Sequence, residues 1–215
     1  MAYSDFTLQK LKKDFGLQVD EQRDLFAAVE PVAGSNLLND TLQETVQLAI
    51  AINTEKARSE MIITPVLLEV RRQAKGQVSL FSGTEFNVDE TKGLVGYCDY
   101  ILSRSKEQLT INAPVILITE AKNENIKAGL GQCIAGMVAA QQFNQREGQA
   151  ITPTGEVLRI EAIYGAVTTG EIWKFLKLVG TTASIDLTDY YISPNLNKIL
   201  GILIHGLGLQ VLSRQ

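Results

Sequence analysis

The chain predicts an α/β fold with a mixed central β-sheet flanked by helices, and three observations carry that expectation. Two segments rich in β-forming residues, 78–86 and 94–102, precede the near-continuous apolar run Val115-Ile116-Leu117-Ile118-Thr119, which reads as a strand buried on both faces. Helical patterns stand before and after this group of three strands. Two further strand-like segments, 157–168 and 171–178, then meet at Thr169-Gly170, a tight hairpin turn. The order is helix, three strands, helix, two strands, helix. A meander of three strands is thus followed by a crossover helix that can bring a fourth strand back beside the third, leaving the third strand central.

Taken in order, residues 4–15 set Phe6, Leu8, Leu11 and Phe15 between an acidic start and a Lys-rich end, and Gly16 stops a short helix. Residues 1–35 read as an N-terminal arm, and 36–215 as a single α/β domain closed by a C-terminal helix. From Asn36 or Asp40, Leu38, Leu42, Val46, Ala49, Ile50 and Ile52 recur at helical spacing behind a good cap residue. The pattern continues through Lys56, Arg58, Glu60, Ile63, Leu67 and Val70, with Pro65 requiring a break or the first turn of a second helix. Lys75-Gly76 ends the run. The third strand opens on the turn signal Asn112 and Pro114 and stops abruptly in Glu120-Ala121-Lys122. A helix over 126–143 follows, in which Gly129, Gly131 and Gly136 lower the propensity but permit close approach to a sheet. After Ser193-Pro194, a capped apolar helix over 195–212 closes the chain.

Composition bounds the class of function. With 215 residues, 45% of them hydrophobic, the chain can bury one good core and reads as one domain. Twenty Lys+Arg against 24 Asp+Glu give a formal charge of −4, which excludes the strongly basic balance of a protein that coats nucleic acid non-specifically. Any nucleic-acid contact is therefore local. The opening MAYSDFTLQKLKKDFG has no apolar core of a signal peptide, and the nearly uncharged stretch 199–213 is shorter than the roughly 20 residues a spanning helix needs. The expectation is a soluble cytoplasmic protein without a membrane partner. Cys98 and Cys133 match no metal-ligand spacing and read as small apolar filler in a reducing compartment. His205 lies in the apolar C-terminal helix, as a half-buried residue or part of an interface.

The chemistry gathers at the end of the third strand. Side chains alternate along a strand, so Glu120 and Lys122 emerge on one face, and burying both costs free energy unless they are paired or hold an ion. Asp99 precedes Glu120 by 21 positions, about two antiparallel strands and their turn, so a hairpin can bring the two carboxylates together. Side by side they repel, and a divalent cation would neutralise them. Oxygen ligands with open positions favour Mg²⁺ or Mn²⁺ over zinc. Taken alone, Asp99 reads as a strand-edge residue bonded to a turn; its combination with Glu120 is what points to a site.

Asp99 followed by Glu120-Ala121-Lys122 at the end of a third strand, in helix-strand-strand-strand-helix-strand order, resembles the PD-(D/E)XK nuclease superfamily, whose fold is called restriction-endonuclease-like. The resemblance covers roughly residues 40–180 and includes the late hairpin 163–175. It implies that Asp99 and Glu120 hold the metal with the backbone carbonyl of Ala121, and that Lys122 orients or activates the attacking water. It also implies a glutamate from the first core helix, for which Glu60 is the candidate and Glu55 and Glu69 are fallbacks. Gln132 resembles a glutamine of some branches, although Gly136 stands where those carry an aromatic residue, and no proline sits beside Asp99. Outside the resemblance, Glu60 reads as a solvated helix residue and Gln132 as a polar residue capping or facing the sheet. The activity implied is metal-dependent hydrolysis of DNA phosphodiesters; the alternative is a catalytically inactive nucleic-acid-binding or protein-interaction module of the same fold. Lys127, Arg104, Lys106 and Arg146 are candidates for neighbouring phosphates, and a homodimer or a partner chain could supply specificity.

Overall fold

The computed structural model describes residues 1–147 and 160–208. The start of the strand expected over 157–168 and the end of the helix expected over 195–212 therefore lie partly outside the described residues. The described residues form a mixed eight-stranded sheet with helices on both faces. Along the sheet the order is β1 (Gln18–Asp20), β7 (Thr182–Ile185), β6 (Ile172–Val179), β5 (Ile163–Thr168), β4 (Val115–Ala121), β3 (Tyr97–Ser103) and β2 (Ser79–Glu85), with β8 (Tyr190–Tyr191) paired to β6 off this path. The β4–β5 and β1–β7 pairs are parallel and the others antiparallel. All seven residues of β4 are buried, as its apolar run requires.

One face is covered by α5 (Ile126–Glu147) together with α1 (Leu8–Phe15), where Phe6, Leu11 and Leu17 join Ile118, Cys133, Ile134 and Val167 in one core. The other carries α2 (Asn36–Ile52), α3 (Glu55–Arg58), α4 (Thr64–Gln73) and α6 (Ile192–Gly206), where Leu38, Ile62, Val66, Leu67, Ile199 and Leu203 pack on Tyr100, Leu117 and Ala166. Residues 1–35 belong to this body: β1 extends the sheet beside β7, and Phe26 and Val32 enter the second core. No helix among the described residues is long and apolar enough to cross a membrane.

The helical run after Asn36 breaks at Asn53 rather than at Pro65. Asn53 ends α2 in the left-handed region at φ 52°, a conformation Asn tolerates better than most residues, and Thr54 caps α3 by accepting from the Ala57 amide. From Glu55 onward the helix is continuous through a π-helical segment, Ser59–Ile63, into α4. Pro65 has no N–H for the carbonyl of Met61 one turn back, and the Thr45 hydroxyl donates to that carbonyl instead at 2.7 Å. The proline thus costs the helix one bond, which a neighbouring helix restores.

β3 begins later than the pattern over 94–102 suggests. Asp89 accepts from the amides of Thr91 and Lys92 in a 3-10 turn, and Gly93 and Gly96 hold φ of 73° and 123°, so the chain still turns where the composition looks extended. β1, β7 and β8 are absent from the sequence-based expectation because strands of two to four residues show too few alternations to register.

Candidate functional site

The C-terminal end of β4 lies between α5 and the α2–α3 junction. The β3–β4 ladder runs to the Tyr100–Thr119 pair, and beyond it the Ala121 amide donates to the Asp99 carboxylate at 2.8 Å. Asp99 is thereby held against β4 beside Glu120, whose side chain is 2% exposed and near enough to feel the Asp99 charge. Lys122 completes the cluster: its ammonium lies 2.6 Å from Glu120 Oε1 and donates to Gln132 Oε1 at 3.4 Å. Asp99, Glu120, Lys122 and Gln132 are thus brought to one place from β3, β4 and α5.

Close packing sets the path of Lys122. A methyl group at Gly129 in α5 would meet Val167 Cγ1 at 2.6 Å and the Lys122 stem at 3.1 and 3.2 Å. Only a residue without a side chain leaves room there for both the sheet and the lysine.

Burial first, and then the neighbouring Asp99, push the Glu120 carboxyl up to about 8 against the pull of Lys122. Burial works against the Lys122 charge, but Glu120 foremost, then Asp99 and Glu55, outweigh it and hold the ammonium charged above its usual range. The site therefore sets two carboxyl groups against one ammonium in a part-buried setting. Cys98 and Cys133 border it as buried free thiols, and burial, followed by the charge of Glu120, pushes both up so that they stay protonated and inert.

The three helix glutamates part company. Glu60 points to solvent with Lys56 Nζ 3.8 Å away, and no contact among the described residues joins it to Asp99 or Glu120. Glu69 is buried in a different role: it accepts from the Ser35 amide at 3.0 Å and hydroxyl at 2.8 Å and from Gln73 at 2.8 Å, and pairs with Arg72. Glu55, at the start of α3, is the one whose charge is felt by Lys122.

Its placement follows from residues that carry no signal in the sequence. Arg58, 6% exposed, donates to the Thr169 carbonyl at 3.1 Å, to Glu171 at 2.6 Å and to Asn53 Oδ1 at 3.1 Å. Asn53 donates in turn to Glu124 at 3.2 Å. The helix junction, the β5–β6 turn and the β4–α5 loop are thereby tied around the carboxylates. Of the basic residues considered for phosphate contacts, Lys127 is exposed on the first turn of α5 at this end of the sheet. Arg104 and Arg146 lie at the opposite end: Arg104 follows β3, and Arg146 ends α5 on the Val88 carbonyl. Lys106 is exposed in the β3–β4 connection.

Two neighbouring carboxylates offer hard oxygen donors of the kind that could hold Mg²⁺ or Mn²⁺ with water completing the shell. Such an ion would also take the place of the proton that burial and Asp99 favour on Glu120. Ala121 can add only its carbonyl, since its amide is engaged by Asp99. Among the described residues, no group of three His, Cys, Asp or Glu side chains is placed to hold a metal. No protein-family model, curated protein or solved structure matches the chain.

Proposed function

We propose that the chain is a metal-dependent nuclease of the restriction-endonuclease-like kind that hydrolyses DNA phosphodiester bonds. The observation that supports this most is the gathering of Asp99, held on the Ala121 amide, and Glu120 at the end of a central strand with the Lys122 ammonium 2.6 Å from Glu120. Asp99 and Glu120 hold the cation, Mg²⁺ or Mn²⁺, with the Ala121 carbonyl. When bound, that ion polarises the phosphoryl oxygen and lowers the pKa of water. Lys122 keeps a compact positive charge where the scissile phosphate and its attacking water meet, and Gln132 and Glu120 fix its position. Water adds its oxygen to phosphorus and gives up a proton, the P–O ester bond breaks, and the departing oxygen takes up a proton in turn. In this reading Glu55, whose charge acts on Lys122, is the assisting helix carboxylate in place of Glu60.

The test is cleavage of plasmid and oligonucleotide DNA with Mg²⁺ or Mn²⁺ by the wild type, Glu120→Ala and Lys122→Ala. Cleavage by the wild type, lost in both variants, is the expected result. Equal activity in all three would sink the assignment. A second reading rests on there being only two converging carboxylates among the described residues: a module of this fold that binds nucleic acid without cutting. DNA retention by the wild type and both variants, without cleavage by any, would select it.

A further inference from the structure

A concave site lies at the end of the sheet opposite Asp99 and Glu120. It is a cavity of about 400 Å³ lined by Arg104 after β3, Tyr164 on β5, Lys177 on β6, Glu161, and His205 near the end of α6. Tyr164 pairs with Leu117 near the start of β4, three residues before Glu120, so roughly 10 Å of strand separates the two sites. The size suits a small organic ligand.

Its lining is unusual in charge. The Lys177 ammonium sits 5.8 Å from the centroid of the Tyr164 ring, and the His205 ring meets the same tyrosine edge-on at 6.0 Å. Arg104 approaches Gly208 on the far side, where an added methyl would be 3.4 Å from its guanidinium. Among the described residues, none of these three basic side chains has a carboxylate within ion-pair distance or a side-chain hydrogen bond. Glu161 is the one carboxylate in the lining, and it is exposed. The C-terminus of α6 adds about half a negative charge, too little to neutralise two full cations and an imidazole. Three basic groups that converge on a cavity with no carboxylate partner among the described residues are complementary to an anion, and the arginine fork matches tetrahedral oxygens.

We propose that this cavity binds a phosphate dianion, free or as the monoester of a small organic molecule, between Arg104, Lys177 and His205, with Tyr164 as its floor. The site is separate from the Asp99–Glu120 centre and does not depend on what that centre does.

The chain has a single histidine, so one imidazole resonance reports directly on the cavity. Inorganic phosphate and adenosine 5′-monophosphate are titrated into the full chain at constant ionic strength, with sodium chloride as the control, while the His205 ring signal is followed by NMR. A saturable shift absent with chloride is expected. Lys177→Gln and Arg104→Gln each weaken binding by about fivefold, as the loss of one partly exposed charge contact implies. Glu161→Gln, which removes the opposing charge at the surface, tightens it. Lys122→Ala leaves it unchanged. Equal affinity for the two probes assigns free phosphate, and tighter binding of the nucleotide assigns an organic monoester. A shift that fails to saturate, that persists unweakened in Lys177→Gln, or that disappears in Lys122→Ala overturns the proposal.

Discussion

At the scale of single residues, Glu120 sets what the site can do and when. Its carboxyl titrates at about 8 in the folded chain against an ordinary 4.5. The folded state therefore holds a proton that the unfolded chain has released across that window. Its contribution to stability is present below about pH 4.5 and is lost as pH rises through about 8. On the proposed function a bound cation displaces the same proton, so Mn²⁺ affinity should fall by up to about tenfold per pH unit below that value. Calorimetry at pH 6 and pH 8 checks this, and a Glu120→Gln variant should lose both the affinity and its pH dependence. An affinity independent of pH in the wild type would mean that Glu120 is no ligand. The meeting of Asp99 with Glu120 and Lys122 could be read from the sequence, because strand alternation and a hairpin of the right length place them. Glu60 could not be told from Glu55 in the same way. Five residues along a helix change the facing by well over a quarter turn, and the π-helical segment shifts the phase again.

At the scale of elements, α5 shows how a helix of modest propensity serves a site. Gly129 leaves space for the Lys122 stem, whereas Gly136 leaves space for Ile118 Cγ2, which a methyl would approach to 3.1 Å. Both glycines were readable as close-approach positions, but which neighbour each one admits depends on the register of helix over sheet. Gly129→Ala and Gly136→Ala should each cost about 1–3 kcal/mol by overpacking, measured by urea unfolding. Only Gly129→Ala should also displace Lys122, lowering cleavage by on the order of tenfold to a hundredfold per folded molecule. Equal activity in the two variants would separate Gly129 from the site. On the other face, Glu69 fastens the start of α2 to α4 through Ser35 and Gln73. Burial would raise its pKa, but the hydrogen bonds from Gln73 and Ser35 and the charge of Arg72 outweigh it and hold it below the usual range. Its stabilising share is thus present at neutral pH and fades as the solution is acidified through the lowered value. Glu69→Ala should cost roughly 2–3 kcal/mol, since it strands the Ser35 amide. Cleavage per folded molecule should be unchanged, which distinguishes this glutamate from Glu55.

At the scale of the whole molecule, the sheet is continuous from β1 to β2, and both termini of the described chain pack onto it, so the site depends on segments far apart in sequence. The central α/β order was legible because apolar periodicity is local. The closure of the sheet by β7 and β1 and the tie through Arg58 were not, because they pair residues more than 100 positions apart through short or polar segments. Arg58 is where this long-range dependence can be measured. Its guanidinium is buried while Glu171 remains partly exposed, so removing the arginine frees Glu171 to hydrate but leaves the Thr169 carbonyl and Asn53 without a donor. Arg58→Ala should therefore destabilise the fold by about 3 kcal/mol, and Glu171→Ala by less. A double-mutant cycle between them should return a coupling of about 1–3 kcal/mol, as a direct, largely desolvated contact gives. The second consequence is local to the site. Without Arg58 the β5–β6 turn and the α2–α3 junction are no longer joined, and Glu55 loses its fixed distance to Lys122. Arg58→Ala should then weaken Mn²⁺ binding at temperatures where the fold remains intact by circular dichroism. Arg58→Lys should restore part of the stability through the Glu171 pair and less of the metal affinity, because one ammonium cannot span Thr169, Glu171 and Asn53 at once. Full metal affinity in Arg58→Ala would show that the helix junction stands apart from the carboxylate centre.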